Sequence, residues 1–204
     1  MKRYPPFRSN GFTLLELLVT LAVVAVIASL AVPNMRDFVL NNRLTGSANE
    51  LLRSIQAARS MALKRQATVV VCASATPNSD TAACDTSNVT GWISFEDTNN
   101  NWARDNGEPL IESSTFESDK ISFRMDGSWR ISFAATGFAR TTGTNAATQT
   151  PSQAVVLCDS RGNQTVAGQS TARAMVIEPT GRARVTRVPA DVASKITQTG
   201  ASCP

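Results

Sequence analysis

The pattern of apolar and polar residues changes along the chain, and its first part predicts a helix that crosses a membrane. Leu14–Val32 is a run of nineteen residues in which only Glu16, Thr20 and Ser29 are polar. A helix rises 1.5 Å per residue, so about 20 apolar residues span the hydrocarbon core of a bilayer. We therefore expect a membrane-spanning helix over residues 12–32.

The second part of the pattern predicts an amphipathic helix over residues 33–66. Apolar positions recur at intervals of three and four residues, which is the period of a helix with one buried face. Pro33 lacks an amide hydrogen, which predicts a kink or a local opening where the two helical segments meet. The apolar stripe, which we expect to pack against a sheet, consists of Leu44, Ala48, Leu51, Ile55, Ala58 and Ala62.

From residue 67 onward the pattern is typical of strands. Short runs rich in Val, Ile, Phe and Trp are separated by clusters of Gly, Asn, Asp, Ser and Pro. One long helix followed by many short strands predicts an α+β fold, with an antiparallel β domain over residues 67–204 on the amphipathic half of the helix. The predicted strands are Thr68–Ala73, Gly91–Phe95, Lys120–Met125, Trp129–Ala134, Gln153–Cys158, Ala172–Glu178 and Arg182–Val188.

The residues that flank the apolar run predict the topology. Lys2, Arg3 and Arg8 precede the run in a segment without acids, and such residues stay on the cytoplasmic side of a membrane. The run continues through residues 31–33 as a helical pattern, without the change of character that follows a cleaved signal peptide. The sequence therefore predicts a single-pass membrane protein whose body lies outside the cytoplasm.

Composition excludes several kinds of catalytic site and metal site. The 204 residues contain no histidine, which excludes a Ser-His-Asp or Cys-His catalytic set and a histidine-ligated metal. No other nucleophile or paired-acid motif stands out, so we expect neither enzymatic activity nor a cofactor. Residues 80–119 hold nine acids and one base, whereas residues 124–204 hold nine bases and four acids. A domain polarised in this way can present a basic face.

Four cysteines lie in the part of the chain that is expected outside the cytoplasm: Cys72, Cys84, Cys158 and Cys203. An even number of cysteines in an oxidising compartment favours disulfides. Three pairings are possible, of which the local one, Cys72 with Cys84 and Cys158 with Cys203, closes the shortest loops. The chain has no Cys-x-x-Cys pair, and we expect no zinc site.

The residues at the start of the apolar run are Gly11-Phe12-Thr13-Leu14-Leu15-Glu16. With the basic leader before it, this segment resembles the cleavage and methylation signal of type IV prepilins and type II secretion pseudopilins. The resemblance implies that the prepilin peptidase removes the leader, residues 1–11, by cutting after Gly11, and then methylates the new amino terminus on Phe12.

Glu16 is the one acid in the apolar run, and a carboxylate inside a membrane is costly unless it has a partner. The resemblance implies that its partner is the Phe12 amine of a neighbouring subunit in a filament. An amine and a carboxylate attract strongly in a low-dielectric core, and such a pair can set the register between subunits.

The segment Trp92–Leu110 has two interpretations. Four of its residues have the spacing of ligands in an EF-hand calcium loop: Asp97, Asn99, Asn101 and Glu108. However, Trp102 stands where that loop has glycine, and Asp and Asn also build turns without a metal, so a structural loop is the alternative. The segment resembles the W-x-x-F-x-D…D-x-G-E-x-L stretch of the GspH/FimT branch of pseudopilins and minor pilins. The residues that fit it are Trp92, Phe95, Asp97, Asp105, Gly107, Glu108 and Leu110.

The last predicted strand is basic. Arg182 and Arg184 share one face because side chains alternate along a strand, and Arg187 lies just beyond them. Guanidinium groups suit phosphate oxygens, although a basic strand can also be only a solvated edge that resists pairing. The stretch resembles the Gly-Arg-x-Arg motif of FimT-type minor pilins, which bind DNA during natural transformation. The resemblance implies DNA contacts by Arg182 and Arg184, with Arg187 and Lys195 in support.

No aromatic residues interleave with these arginines in the sequence. Any binding of double-stranded DNA is therefore expected to use phosphate contacts, to be independent of sequence and to depend strongly on salt.

The resemblance as a whole implies a type IV pilin-like fold and a minor pilin of a type IV pilus. Such a protein lies first in the bacterial inner membrane, with its globular domain in the periplasm, and then in the pilus. Its expected partners are the prepilin peptidase, other pilins, the inner membrane and double-stranded DNA. A minor pseudopilin of a type II secretion system, acting in protein export, is the alternative, and the sequence leaves the choice open.

Overall fold

The computed structural model describes residues 11–126, 129–140 and 153–203, apart from the side chains at positions 30 and 32–34. The leader predicted over residues 1–11 therefore lies outside the described residues except for Gly11. The chain forms two compact units, one that ends at Leu40 and one that begins at Asn41.

The long helix α1 spans Leu14–Arg65 and runs through Pro33 without interruption. In the first unit, every described side chain from residue 11 to residue 29 is exposed. Among the residues that the structure describes, no helix combines the length and the apolar character needed to cross a bilayer.

In the second unit, α1 buries the apolar stripe that the sequence predicts. All six residues of that stripe, from Leu44 to Ala62, are at most 1% exposed. The helix ends at Arg65 because Gln66 adopts a left-handed backbone with a φ of 56°. The amide of Ala67 then bonds back to the carbonyl of Ala62 at 3.3 Å. Such a reversal satisfies carbonyl groups that the end of a helix leaves open.

The strands form two larger antiparallel sheets and one small hairpin. Sheet A has the order β3-β2-β1-β5-β6, sheet B has the order β11-β10-β7-β4, and β8 pairs with β9. The strands are β1 Thr68–Ser74, β2 Gly91–Asp97, β3 Leu110–Thr115, β4 Ser122–Met125, β5 Arg130–Phe133, β6 Ala139–Arg140, β7 Gln153–Cys158, β8 Thr165–Val166, β9 Gln169–Ser170, β10 Arg173–Ile177 and β11 Ala183–Thr186. All eight strand pairings are antiparallel, so the predicted fold class is confirmed.

One core joins the helix and both sheets. Leu44, Leu51 and Ile55 of α1 form a single buried cluster with residues from the inner faces of sheets A and B. The indole N–H of Trp92 in β2 donates a hydrogen bond of 3.0 Å to Oγ of Ser54 in α1. This bond satisfies two buried polar groups at once and fixes β2 against the helix.

The outer face of sheet B carries a second helix, α2, over Pro189–Thr199. Val192 is its buried residue and belongs to a cluster with Val156, Cys158 and Ala174. Cys158 is bonded to Cys203, and Cys72 is bonded to Cys84, with Cα–Cα distances of 5.6 and 5.5 Å. The structure therefore has the local pairing, and the first of these disulfides fastens the end of the chain after α2 to β7.

Candidate functional site

The start of α1 is held by a hydrogen-bonded cap. The amide of Glu16 donates to Oγ1 of Thr13 at 3.2 Å, and the amide of Leu17 donates to the carbonyl of Thr13 at 3.1 Å. Threonine followed three residues later by glutamate is the pattern of a capping box. Only the threonine half of this pattern is formed here, since the bond uses the backbone amide of Glu16 and not its carboxylate.

The carboxylate of Glu16 is exposed. Within the described part of the chain, it has no hydrogen-bond or ion-pair partner. Phe12, which the sequence predicts as the first mature residue, is 67% exposed. The structure thus leaves both predicted members of the assembly pair accessible to other molecules.

The predicted basic strand forms the edge of sheet B. β11 pairs with β10, and its Ala183 and Val185 pack against the core. Because side chains alternate along a strand, Arg184 points to the opposite face and is exposed, as is Arg182 at the preceding position. Both arginines are thus accessible at this edge of the sheet.

A tight turn leads into this strand. The amide of Gly181 bonds to the carbonyl of Glu178, and the amide of Glu178 bonds to the carbonyl of Arg182, both at 2.8 Å. Gly181 has a φ of +79°, a conformation that side-chain-bearing residues rarely adopt. Glycine is therefore required by the backbone of this turn.

The space around Gly181 is filled by Arg59 of α1 and by the β5–β6 turn. A Cβ atom at position 181 would lie 2.2 Å from the carbonyl oxygen of Gly137 and 2.7 Å from Nε of Arg59. Arg59 donates from Nε to the carbonyl of Gly137 at 3.0 Å and from a terminal nitrogen to that of Thr180 at 2.9 Å. Arg59 thus fastens both turns to the helix and fixes where Arg182 and Arg184 project.

The side chains of the four predicted DNA-contact residues differ in burial and in their hydrogen-bond and ion-pair partners. Among the described residues, the side chain of Arg182 has no hydrogen-bond or ion-pair partner, and that of Arg184 is 3.9 Å from the carboxylate of Asp191 in α2. Lys195 of α2 donates from Nζ to the side-chain oxygen of Gln198 at 2.7 Å. Arg187 is half-buried, and its Nε is buried without a hydrogen bond.

Arg187 lies close to a buried arginine. Arg173 is 2% exposed and donates to the carbonyl of Thr171 at 2.8 Å. Burial, reinforced by the positive charges of Arg187 and Arg161, lowers the pKa of Arg173 to about 10. Arg187 is thus less accessible than Arg182 and Arg184.

The loop between β2 and β3 uses its carboxylates for internal hydrogen bonds. Asp97 accepts from the amides of Asn101 and Trp102 at 3.2 and 2.9 Å. Glu108 accepts from the amide and hydroxyl of Thr98 at 2.8 and 3.0 Å and from the amide of Asp105 at 3.0 Å. The carboxylate of Asp105 in turn accepts from the side-chain amides of Asn99 and Asn101.

These bonds engage the carboxylates of Asp97, Asp105 and Glu108 within the loop itself. Among the described residues, no group of three or more His, Cys, Asp or Glu residues could hold a metal ion. Trp92, Phe95 and Leu110 of the same motif are packed in or against the hydrophobic clusters. The residues of the segment Trp92–Leu110 therefore contribute to the packing and the hydrogen bonds of this part of the chain.

Comparisons with known proteins give matches to two families. A family model described as the type II transport protein GspH matches residues 47–181, and a model of the prokaryotic N-terminal methylation motif matches residues 6–32. No curated protein sequence matches the chain.

Two solved structures are also similar, both crystal forms of the type IV minor pilin FimU of Pseudomonas aeruginosa. The P21 form is 18% identical over 75% of this chain and 94% of that chain, with a TM-score of 0.47. The P65 form is 16% identical over 70% of this chain and 91% of that chain, with a TM-score of 0.44.

Proposed function

We propose that this chain, which belongs to the family of the type II transport protein GspH, is a filament subunit, and more specifically the minor pilin of a type IV pilus. The N-terminal methylation motif over residues 6–32 supports processing by the prepilin peptidase between Gly11 and Phe12. The mature protein then begins with an N-methylated phenylalanine.

One observation carries this proposal: the large apolar side chains in the first part of α1 are exposed. Leu14, Leu17, Leu21 and Ile27 are each more than half exposed. A soluble protein rarely exposes a continuous apolar surface of this kind. The inner membrane covers this surface before assembly, and the equivalent helices of neighbouring subunits cover it in the filament.

The mass of the mature amino terminus tests the processing step. We expect protein recovered from host filaments to begin at Phe12 with one added methyl group. Replacing Gly11 by a bulkier residue such as valine is expected to leave the leader in place, since the family's signal has glycine before the cut. Gly46→Val is the control, because a Cβ atom there also meets nothing within 4 Å. Recovery of assembled protein that still begins at Met1 would contradict the proposal.

The name of the matching family favours one alternative, a minor pseudopilin of a type II secretion system that acts in protein export. Deleting the coding sequence in the host separates the two roles. Loss of surface pili with normal secretion supports the minor pilin, whereas loss of a secreted protein with normal pili supports the pseudopilin.

The exposed arginines favour a second function, contact with DNA. Arg184 projects from the outer side of β11, and Arg182 is exposed in the turn before it. Among the described residues, the acid within 4 Å of either guanidinium is Asp191, at 3.9 Å from Arg184. Guanidinium groups that lack a close carboxylate partner can take phosphate oxygens. We infer that these two residues form the phosphate contacts, with Lys195 and Arg187 in supporting positions.

Binding of duplex DNA by the full chain in detergent tests this inference. We expect the double variant Arg182→Gln/Arg184→Gln to bind more weakly and to show a shallower salt dependence. The slope of log K against log salt is negative, and each lost phosphate contact reduces its magnitude by about 0.9. The loss of two contacts therefore reduces the magnitude by about 1.8. Fluorescence anisotropy of a labelled duplex over a salt series measures both quantities.

A control with the same loss of charge is available on α1. Arg43→Gln/Arg53→Gln removes two cations that pair with Glu117 and Glu112, and it should leave the salt slope unchanged. Absence of duplex binding by the unaltered protein at low salt would contradict DNA contact.

A further inference from the structure

An open pocket of about 250 Å³ lies beside the edge strand β4. Phe116, Phe123 and Trp129 give it an aromatic wall, and Ser122, Ser202 and Arg124 contribute polar groups. This volume suits one small unit of a larger ligand, since pockets for whole drug-sized ligands are about 300–1,000 Å³.

The aromatic wall is the outer end of an array that begins in the core. Ring centroids are 6.1 Å apart between Trp92 and Phe116, 5.3 Å between Phe116 and Phe123, and 6.3 Å between Phe123 and Trp129. Trp129, at the surface, has a φ of 60°. A bulky residue in this conformation carries strain, and such strain clusters at ligand sites.

Arg124 is held over Trp129 and has unused donors. Its guanidinium carbon lies 4.8 Å from the centroid of the Trp129 ring, a cation–π distance that orients the group. Within the described residues, the guanidinium of Arg124 has no hydrogen-bond or ion-pair partner, and no acidic residue lines the pocket. The fixed guanidinium therefore leaves its N–H groups available to an anion.

The register of sheet B places Arg124 on the same face as the predicted DNA-contact residues. Arg124 lies opposite Val156, Val156 opposite Ala174, and Ala174 opposite Thr186. Arg184 is two residues from Thr186, so its side chain projects to the same face. Three strand spacings, about 14 Å, separate β4 from β11.

Helix α2 connects these two edges of the sheet. Asp191 in its first turn accepts a hydrogen bond from Thr186, which ends β11. Gln198 in its last turn donates to Asp126, which follows β4. Lys195 lies between these two ends, so cations occur at both edges of the outer face and on the helix that crosses it.

We propose that the pocket binds one nucleotide of single-stranded DNA, whose base stacks on the aromatic wall while a phosphate bonds to Arg124. The proposal rests on the DNA contact inferred for Arg182 and Arg184, and it extends that contact across the outer face of sheet B. Bases stack on aromatic rings and on guanidinium planes.

The test compares single-stranded and duplex DNA on the full chain in detergent. We expect Trp129→Ala and Arg124→Gln to weaken binding of a labelled twelve-nucleotide oligothymidylate. The loss of one stacked base is expected to weaken the affinity by about five-fold to 150-fold. The affinity of Trp129→Ala for a duplex should stay within about twofold of that of the unaltered protein, because bases inside a duplex are not available for stacking. Trp129→Phe keeps an aromatic ring and should retain most of the affinity for the single strand.

A matched tryptophan provides the control. Trp102 is half-buried and has a φ of 67°, but it does not line the pocket. Trp102→Ala should therefore leave single-strand affinity unchanged. Thermal unfolding of each variant shows whether it is folded, and Arg124→Gln tests the site if Trp129→Ala is not.

The outcomes separate this proposal from the function on which it rests. If Arg124→Gln and a folded Trp129→Ala bind the single strand like the unaltered protein while Arg182→Gln/Arg184→Gln does not, the pocket proposal is wrong and the DNA function stands. If the unaltered protein binds neither form of DNA, both are wrong. A tryptophan fluorescence change with oligogalacturonate but not with oligothymidylate would identify an acidic-sugar site and also overturn the proposal.

Discussion

Replacing Glu16 by alanine is expected to leave the protein in the inner membrane and to exclude it from filaments. The carboxylate is exposed and has no partner within the described part of one chain. In the proposed filament its partner is the Phe12 amine of a neighbouring subunit. Removing one member of a buried ion pair costs about 3–5 kcal/mol, because the other charge is left uncompensated. This corresponds to more than about a hundredfold in an assembly equilibrium. Immunoblots of sheared filaments and of membranes from the same cells measure the effect.

Glutamine at position 16 separates the charge of the side chain from its polarity. The cap bond at the start of α1 runs from the backbone amide of residue 16 to Oγ1 of Thr13, so neither alanine nor glutamine removes it. If the ion pair matters, Glu16→Gln is excluded from filaments like the alanine variant. Normal incorporation of Glu16→Gln together with loss of Glu16→Ala would assign the role to a polar side chain without charge and contradict the ion pair. Normal incorporation of both variants would contradict any role of this residue in assembly.

The long helix and the main strands could be predicted because burial imposes a period on the sequence. The stripe from Leu44 to Ala62 is buried in the structure as predicted, and the predicted strand Gln153–Cys158 has the same bounds as β7. β3 was missed because Leu110–Thr115 is an edge strand with mainly half-buried or exposed side chains. Such a strand is held by pairing with β2 and needs no apolar pattern of its own.

Helix α2 was missed although its ends carry clear signals. Pro189 occupies the first turn, and Gly200 ends the helix with a φ of 61°, which is the usual asymmetry of proline before and glycine after. Its single buried residue, Val192, gives no apolar stripe. The sequence of α2 therefore carries signals for the ends of a helix but no apolar periodicity, and periodicity is the pattern that predicts the other helix.

The sequence predicts those features of the candidate sites that depend on local backbone geometry. Alternation along a strand predicts a shared face for Arg182 and Arg184, and both are exposed in the structure. β11 spans only Ala183–Thr186, so alternation fixes the direction of Arg184 but not that of Arg182 or Arg187. The pocket beside Arg124 could not be predicted, because Phe116, Phe123 and Trp129 come from three separate segments that only the fold brings together.

Replacing Gly181 by alanine is expected to destabilise the globular unit by about 2–5 kcal/mol. A left-handed backbone costs a residue with a side chain about 1–2 kcal/mol, and overpacking adds about 1–3 kcal/mol. The overpacking arises because the new Cβ would lie 2.2 Å from the carbonyl oxygen of Gly137. That oxygen is itself bonded to Arg59, so it cannot move without breaking the contact between the turn and the helix. Urea unfolding of the full chain in detergent, followed by tryptophan fluorescence, measures the change.

Gly168 provides the matched control for this clash. It has a φ of +77°, against +79° for Gly181, but a Cβ atom there would meet nothing within 4 Å. Gly168→Ala should therefore show only the backbone cost of about 1–2 kcal/mol. Equal losses for the two variants would show that the contacts of Arg59 and Gly137 do not constrain the turn. A larger loss for Gly181→Ala, with normal stability of Arg182→Gln/Arg184→Gln, would divide the Gly-Arg-x-Arg motif into a glycine needed for the fold and arginines that the fold leaves free for a ligand.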